Sequence, residues 1–416
     1  MASVETSADP PRSPVDLTRW WPRLLAMAAA GGIVAGLVHV LSWSIPQARP
    51  LALAATHLWL FGGLAVWLYL TAAAVTTLSR QRPMPQARPV LWLAAALAVG
   101  ALMLAATDRW PQVSWLGRLG WLIEAAVGVG GIVSVWLTEV RLPLAHGEHD
   151  ELLIPGFRLG PAEAKSDRLA RVMLIVGQVD LIIGSFYAIR NGDALWPVHG
   201  AFLLLWWGWA VSIATGAAVF LLPRVTGRHL PIGQALIGGF VLWQLGIWAG
   251  FFLGPVALWV ATAGGLLVVG DMVRALPGAF RPRPHAVGSR RLGLAVGLRR
   301  LLVGGLAALA VAMVAMPWQG TPEMAAAWAS GGVTAVMLAF LVHMSSARHG
   351  QRVHGDWLLM GAALLAGGLL LVPWAPWAEA VGGILTAVGG LITLLVLGRS
   401  GWGGAEEKAV SERHGA

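Results

Sequence analysis

The chain has 416 residues, of which 57% are hydrophobic and only 12% are charged, and its mean hydropathy is +0.70. It contains no cysteine, which excludes disulfides, thiolate-ligated haem, cysteine-ligated iron–sulfur clusters and covalent haem attachment. The formal charge of +9 does not indicate nucleic-acid binding, because the arginines lie in short connections between apolar runs, where they orient a membrane protein.

Uncharged apolar runs recur along the chain at nearly regular intervals. A run of about 20 residues is long enough for an α-helix to cross the hydrocarbon core of a bilayer. The expected fold class is therefore all-α, a polytopic membrane bundle of about twelve transmembrane helices. The predicted spans are 22–45, 54–78, 89–107, 120–140, 169–190, 197–222, 232–254, 256–275, 298–316, 325–344, 355–374 and 378–397. The predicted organisation is a flexible cytoplasmic tail (1–20), a single transmembrane domain (21–398) and a second cytoplasmic tail (399–416).

The arginines indicate the orientation of this bundle. With the N-terminus inside, nearly all of them fall in cytoplasmic segments, and the exceptions are Arg49, Arg109, Arg118 and Arg190. Cytoplasmic loops of membrane proteins carry an excess of Lys and Arg. The sequence thus predicts a multi-pass protein of a bacterial inner membrane, surrounded by lipid, with both termini in the cytoplasm.

Similar basic segments end the second, sixth and tenth predicted spans. They lie at residues 79–83, 223–228 and 348–352. The four-helix spacing is what a threefold quasi-repeat of four helices would give. Basic caps on inward-running helices also follow from the charge rule alone, so both interpretations stay open.

Three histidines share one level of the predicted bundle. His39, His57 and His199 lie near the outer ends of the first, second and sixth spans. Neutral imidazoles at one depth on different helices are what axial ligation of haem b, or binding of copper, requires. The alternative for each is an ordinary hydrogen bond at the membrane interface. His57 and His199 are the expected ligand pair for haem iron or copper, and His39 is the substitute.

The sixth span carries a recognisable motif. It runs from His199 through Gly208 and Gly216 to the sequence Pro-Arg-Val-Thr-Gly-Arg at residues 223–228. This resembles the His…Gly…Gly…Pro-(Arg/Lys)-x-Thr-Gly-Arg pattern of the haem-copper oxidase catalytic subunit and of the related NnrS family of twelve-helix haem and copper membrane proteins. The segment from Thr56 and His57 to Gly62 and Gly63 is similar to the histidine-led second helix, which in oxidases supplies a low-spin haem ligand near the outer face.

The resemblance implies a haem or copper protein acting in electron transfer or nitric-oxide-related stress. Other subunits of a membrane redox complex, or a periplasmic electron donor, would be its partners. The ligand set is nevertheless incomplete. The seventh span and the outer half of the tenth lack the histidines of the oxidases, and His199 is followed by Gly200 and Ala201 instead of a second ligand. A complete oxygen reductase is therefore not expected, whether the protein is an enzyme stays open, and its catalytic residues are unknown.

Two carboxylates fall inside predicted spans. Asp180 lies near the middle of the fifth span, where an isolated charge is costly enough that it normally faces a partner or a water-filled path. A polar or proton-conducting role and a structural hydrogen bond are both open for it. Glu124, one turn inside the fourth span, is expected to pair with Arg118 or Arg109, with a place on a proton path as the alternative.

Two further interpretations compete with cofactor binding. Twelve helices with both ends inside also suit a cofactor-free secondary transporter. A structural subunit of a membrane redox complex that lacks cofactors of its own is the other. Trp206, Trp207 and Trp209 lie deep in the sixth span, where stacking on a porphyrin and plain packing are both open.

Overall fold

The fold is that of a computed structural model, which describes residues 21–45, 63–80, 87–140, 163–191, 200–226, 233–274, 289–318, 322–349, 355–371 and 376–399. Within these ranges every regular element is a helix and no strand is present, which confirms the all-α prediction. The two predicted tails, His57 and His199 lie outside the described residues, apart from Arg399, which ends the last helix.

The helices follow the apolar runs of the sequence. In chain order they are α1 (Trp21–Ser44), α2 (Ala65–Arg80), α3 (Ala87–Arg109), α4 (Ser114–Val140), α5 (Glu163–Asn191), α6 (Val211–Thr226), α7 (Gln234–Leu253), α8 (Leu258–Arg274), α9 (Ser289–Ala315), α10 (Pro322–His349), α11 (Gly355–Leu371) and α12 (Pro376–Arg399). A π-helix, Leu203–Ala210, leads directly into α6. Short 3₁₀ turns at Pro111–Val113 and Pro255–Ala257 join α3 to α4 and α7 to α8.

Seven helices of the described chain are long and apolar enough to cross a membrane, which indicates a membrane protein. Their apolar windows are Pro89–Thr107, Ser114–Leu137, Lys165–Asn191, Leu203–Pro223, Gln234–Leu253, Pro255–Arg274 and Gly297–Ala315. Shorter apolar stretches occupy α1, α2, α10, α11 and α12. The count of twelve spans therefore stays a prediction.

Three helices form the centre of the bundle, and we call α2, α6 with its π-helical start, and α10 the inner helices. Every residue is buried across 64–76, 201–223 and 329–342. Each inner helix contacts the other two. The surrounding helices instead expose large apolar side chains, such as Trp92 on α3 (76% exposed) and Leu253 on α7 (81% exposed). These outer faces suit contact with lipid chains.

Neighbouring helices recur at a spacing of four along the chain. Contacts join α3 to α4, α7 to α8 and α11 to α12. They also join α4 to α5, α8 to α9 and α12 to α1. In the same way α5 contacts α2, α9 contacts α6, and α1 contacts α10. Three sets of four helices thus share one pattern of neighbours.

A reciprocal glycine pair lies at the first of these recurring contacts. The pairs are Gly100 with Gly120, Gly239 with Gly264, and Gly361 with Gly389. A Cβ atom placed on either glycine of a pair would lie only 2.5 to 3.2 Å from the carbonyl oxygen of the other. Small residues of this kind allow helix backbones to approach closely in a membrane, where van der Waals packing drives association.

Candidate functional site

The chain enters the centre of the bundle immediately after His199. Gly200 has φ +70°, a conformation that costs glycine little, and it packs against Tyr187 of α5. The following π-helix covers eight residues, Leu203–Ala210, and Val211 N–H donates to Trp206 O five residues back. A π-helical turn at Gly63 and Leu64 also opens α2, the helix that His57 precedes. π-Helices are rare and occur frequently at functional sites.

Three tryptophans of the π-helix lie in the centre of the bundle. Trp206, Trp207 and Trp209 are each 0% exposed. Trp206 stacks on Phe202 with ring centroids 6.3 Å apart, and Trp207 meets Trp243 of α7 edge to face at 6.1 Å. These contacts agree with the packing interpretation. Stacking on a porphyrin stays a prediction.

Buried donors without partners occur on all three inner helices. The indole N–H groups of Trp206, Trp207 and Trp209 on the π-helix make no hydrogen bond to a described residue, and neither do the hydroxyls of Thr71 on α2 and Thr334 on α10. A buried donor left unpaired costs about 1–3 kcal/mol. Groups that accept these hydrogens, such as water or the carboxylates of a bound cofactor, would remove this cost. Sequence reasoning missed the two threonines, which resemble any other small residue of a span.

Asp180 lies where α5 meets the π-helix. Its side chain is completely buried, and a Cβ atom on Gly208 would lie 2.7 Å from both Cγ and Oδ2 of the carboxyl group. Neither carboxyl oxygen forms a hydrogen bond of ordinary geometry with a described residue. A polar or proton-conducting role of Asp180 stays a prediction, and Gly208 is the neighbour that the sequence did not reveal.

Helix α7 brings polar side chains towards this contact. Gln244 Nε2 donates to Ser212 Oγ, one turn beyond Gly208, at 2.6 Å, and Gln244 Oε1 has no partner among the described residues. The side chains of Gln244 and Trp248 approach the carboxyl of Asp180 without completing a hydrogen bond. Three elements therefore meet at Asp180: α5, the π-helix with α6, and α7. We call Asp180, Gly208, Ser212, Gln244 and Trp248 the Asp180 cluster.

The expected ion pair of Glu124 with Arg118 is not formed. Glu124 is completely buried, and neither carboxyl oxygen has a hydrogen-bond partner among the described residues. Its Oε1 faces α3, where a Cβ atom on Gly100 would lie 3.3 Å away. Arg118 is exposed and lies six residues nearer the start of α4. The side chain of Arg109 lies outside the described residues.

His39 lies on α1, one of the helices that surround the inner helices. A Cβ atom on Gly383 of α12 would lie 3.2 Å from its Cβ, so His39 is half-buried between these two outer helices. Within the described residues no group of three or more His, Asp or Glu side chains is close enough to hold a metal ion.

The contact between Gly208 and Asp180 gives a testable expectation. Gly208→Ala places a methyl group against the carboxyl and should lower the free energy of unfolding by about 1–3 kcal/mol. Asp180→Ala removes the carboxyl and should recover part of this loss. The measurement is thermal unfolding of the purified variants in detergent. Losses that simply add in the double variant would contradict the contact, since touching residues couple by about 0.5–3 kcal/mol.

No protein-family model matches the sequence, and no curated protein matches it.

Proposed function

We propose that this chain is an integral membrane protein that binds haem b, or else copper, through His57 and His199. Like the haem-copper oxidases and NnrS proteins that it resembles, it would act in electron transfer or nitric-oxide-related stress, without being a complete oxygen reductase. One observation carries the proposal: the two helices that these histidines precede are both inner helices, they contact each other, and both open with π-helical turns.

Buried donors support the fit of such a cofactor. Three indole N–H groups on the π-helix, seven to ten residues after His199, lack acceptors among the described residues. A haem has two carboxylates that accept hydrogen bonds. When bound, it would supply an iron that gains and loses one electron. The chain's own role would be to hold the iron by two imidazoles, exclude water with the buried aromatic side chains and donate the unpaired N–H groups.

The arrangement of neighbours supports a bundle of twelve spans with a threefold quasi-repeat of four helices. The repeated contacts and the three glycine pairs follow the spacing that the basic segments at 79–83, 223–228 and 348–352 also follow. In this arrangement α2, α6 and α10 are equivalent. His57 and His199 then precede equivalent helices at the same, outer side of an inner bacterial membrane, where a periplasmic electron donor could reach a cofactor.

The direct test is the absorption spectrum of the protein purified in mild detergent. We expect a reduced spectrum with the sharp bands of low-spin haem b, and haem in a pyridine extract at close to one per chain. Metal analysis of the same sample distinguishes copper. A sample with full stability and neither haem nor copper would contradict the proposal.

The Asp180 cluster favours a second candidate, a cofactor-free secondary transporter. An intramembrane carboxyl without a paired charge is the type of group that binds a proton or a cation in transport proteins. The spectrum separates this candidate from the first. A structural subunit of a redox complex would also lack cofactors, but it would copurify with other subunits.

The proposed orientation has its own test, because each reporter fusion samples one connection. A reporter fused after Arg88, Lys165, Arg283 or Arg352 should be cytoplasmic, since basic residues concentrate there. One fused near Arg118, Asn191 or Glu323 should be external. An external reporter at Arg283 would mean that the spans before it number seven or nine instead of eight.

A further inference from the structure

An apolar groove opens between α9, α10 and α11. Its volume is about 440 Å³. Apart from one arginine, the groove is lined by glycine, alanine, leucine and methionine. Its lining includes Arg300 and Gly304 on α9, Ala335 on α10, and Leu359, Gly367 and Leu370 on α11.

The groove has the length of one bilayer leaflet. From Leu359 to Leu370 it follows α11 for eleven residues, which at 1.5 Å per residue is roughly 17 Å. Half of a hydrocarbon core of about 30 Å is about 15 Å. The groove therefore matches an extended acyl chain running from the interface to the middle of the membrane.

Two glycines leave its wall open. A Cβ atom placed on Gly304 or on Gly367 would meet no atom within 4 Å. Their direct neighbours Gly305 and Gly368 are, by contrast, in close contact with α10 and α12. The open space therefore lies on the side of α9 and α11 that faces away from the bundle, where a lipid molecule of the bilayer can enter.

Arg300 lies at the charged end of the groove. It is exposed, and it is the last charged residue before the uncharged stretch 301–315 of α9. Arg290, Arg291 and Arg299 precede it on the same helix. Asp356 similarly precedes the uncharged residues of α11, at the same end. Four arginines against one aspartate leave an excess of positive charge at the end where the apolar groove begins.

We propose that this groove binds one anionic phospholipid of the cytoplasmic leaflet, with its phosphate at Arg300 and an acyl chain between α9 and α11. Basic sites between transmembrane helices on the cytoplasmic side recognise anionic headgroups. A helix from a partner protein fits the groove less well. With its side chains a helix is about 10–12 Å across. A cylinder of that width and of the length of the groove has more than twice the volume of the groove. The proposal does not depend on haem or copper binding.

The test uses the full chain reconstituted in phosphatidylcholine vesicles that contain spin-labelled phosphatidylglycerol or phosphatidylcholine. We expect the protein to retain phosphatidylglycerol about fivefold more strongly, the factor given by about 1 kcal/mol for one arginine near an anionic headgroup. Arg300→Gln should remove this preference. Gly304→Leu and Gly367→Leu should reduce the retained label, because their side chains fill the groove without meeting the bundle.

Matched variants serve as controls. Arg274→Gln removes the same charge from an arginine paired with Asp271 at 3.3 Å, and Gly238→Leu and Gly270→Leu enlarge equally open glycines on α7 and α8. All three should retain phosphatidylglycerol as the unmodified chain does. Equal loss in controls and groove variants, or no preference in the unmodified chain, would overturn the proposal. So would a second polypeptide cross-linked through Gly304→Cys, which would be the sole cysteine of the chain.

Discussion

His57→Ala is expected to abolish the low-spin haem spectrum of the purified protein. In the proposed site the substitution would remove one of the two ligands of the iron, and the chain has no cysteine that could replace it. His199→Ala should abolish the same spectrum or convert it to high spin. His39→Ala should change it much less, because His39 lies between the outer helices α1 and α12. The measurement is the reduced-minus-oxidised spectrum of the three variants.

Protein amounts in this comparison should be matched by blot, because an interior histidine can also matter for folding. Thermal unfolding of each variant provides the second reading, and a ligand variant that keeps its folded fraction but loses haem supports ligation. Full haem occupancy with the original spectrum in both His57→Ala and His199→Ala would show that other residues hold the cofactor. His343, half-buried in the C-terminal part of α10, would then be the next residue to change.

Adjacent glycines are expected to differ sharply in their tolerance of a methyl group. Gly239→Ala places a Cβ 2.9 Å from the carbonyl oxygen of Gly264, so it forces α7 and α8 apart. We expect a loss of about 1–3 kcal/mol or more in the free energy of unfolding. Gly238→Ala meets no atom within 4 Å and should be neutral or stabilising, since alanine favours a helix by about 1 kcal/mol.

The same contrast should hold in two other outer helices. Gly305 and Gly368 face neighbouring backbone, whereas Gly304 and Gly367 do not. Unfolding of the six single alanine variants in detergent, followed by the fluorescence of the tryptophans, measures the effect. Equal stability within each adjacent pair would show that the helices do not pack face to face at these glycines.

Helix positions could be predicted from the sequence, but their depth in the bundle could not. The inner segment Leu203–Pro223 has mean hydropathy 1.6 and is entirely buried, whereas the outer segment Pro89–Thr107 reaches 2.2 and is only 39% buried. Lipid chains are as apolar as leucine, so hydropathy reports that a helix lies in the membrane and not whether it faces lipid or protein. The contacts between helices determine which apolar helix is buried in the bundle and which faces lipid.

The polar residues show the same division. An isolated carboxylate in a span, such as Asp180, is visible in the sequence because its cost in a membrane is large. Its neighbours depend on the rotation of α5, the π-helix and α7 about their axes, so the approach of Gly208 could not be foreseen. For Glu124 the proximity of Arg118 in the sequence suggested an ion pair, but helix rotation turns the carboxyl towards α3. The glycines within the apolar runs are the sequence signal that could have located the helix contacts.

The contact between α1 and α12 joins two helices that lie far apart in the sequence. Gly36 approaches Gly383 closely, and Gly390 approaches the carbonyl oxygen of Ala29, so the two helices run antiparallel along most of their length. During synthesis α1 leaves the ribosome long before α12. The glycine surface of α1 therefore stays without this partner until α12 has been made. In the meantime it is open to insertion factors and membrane proteases.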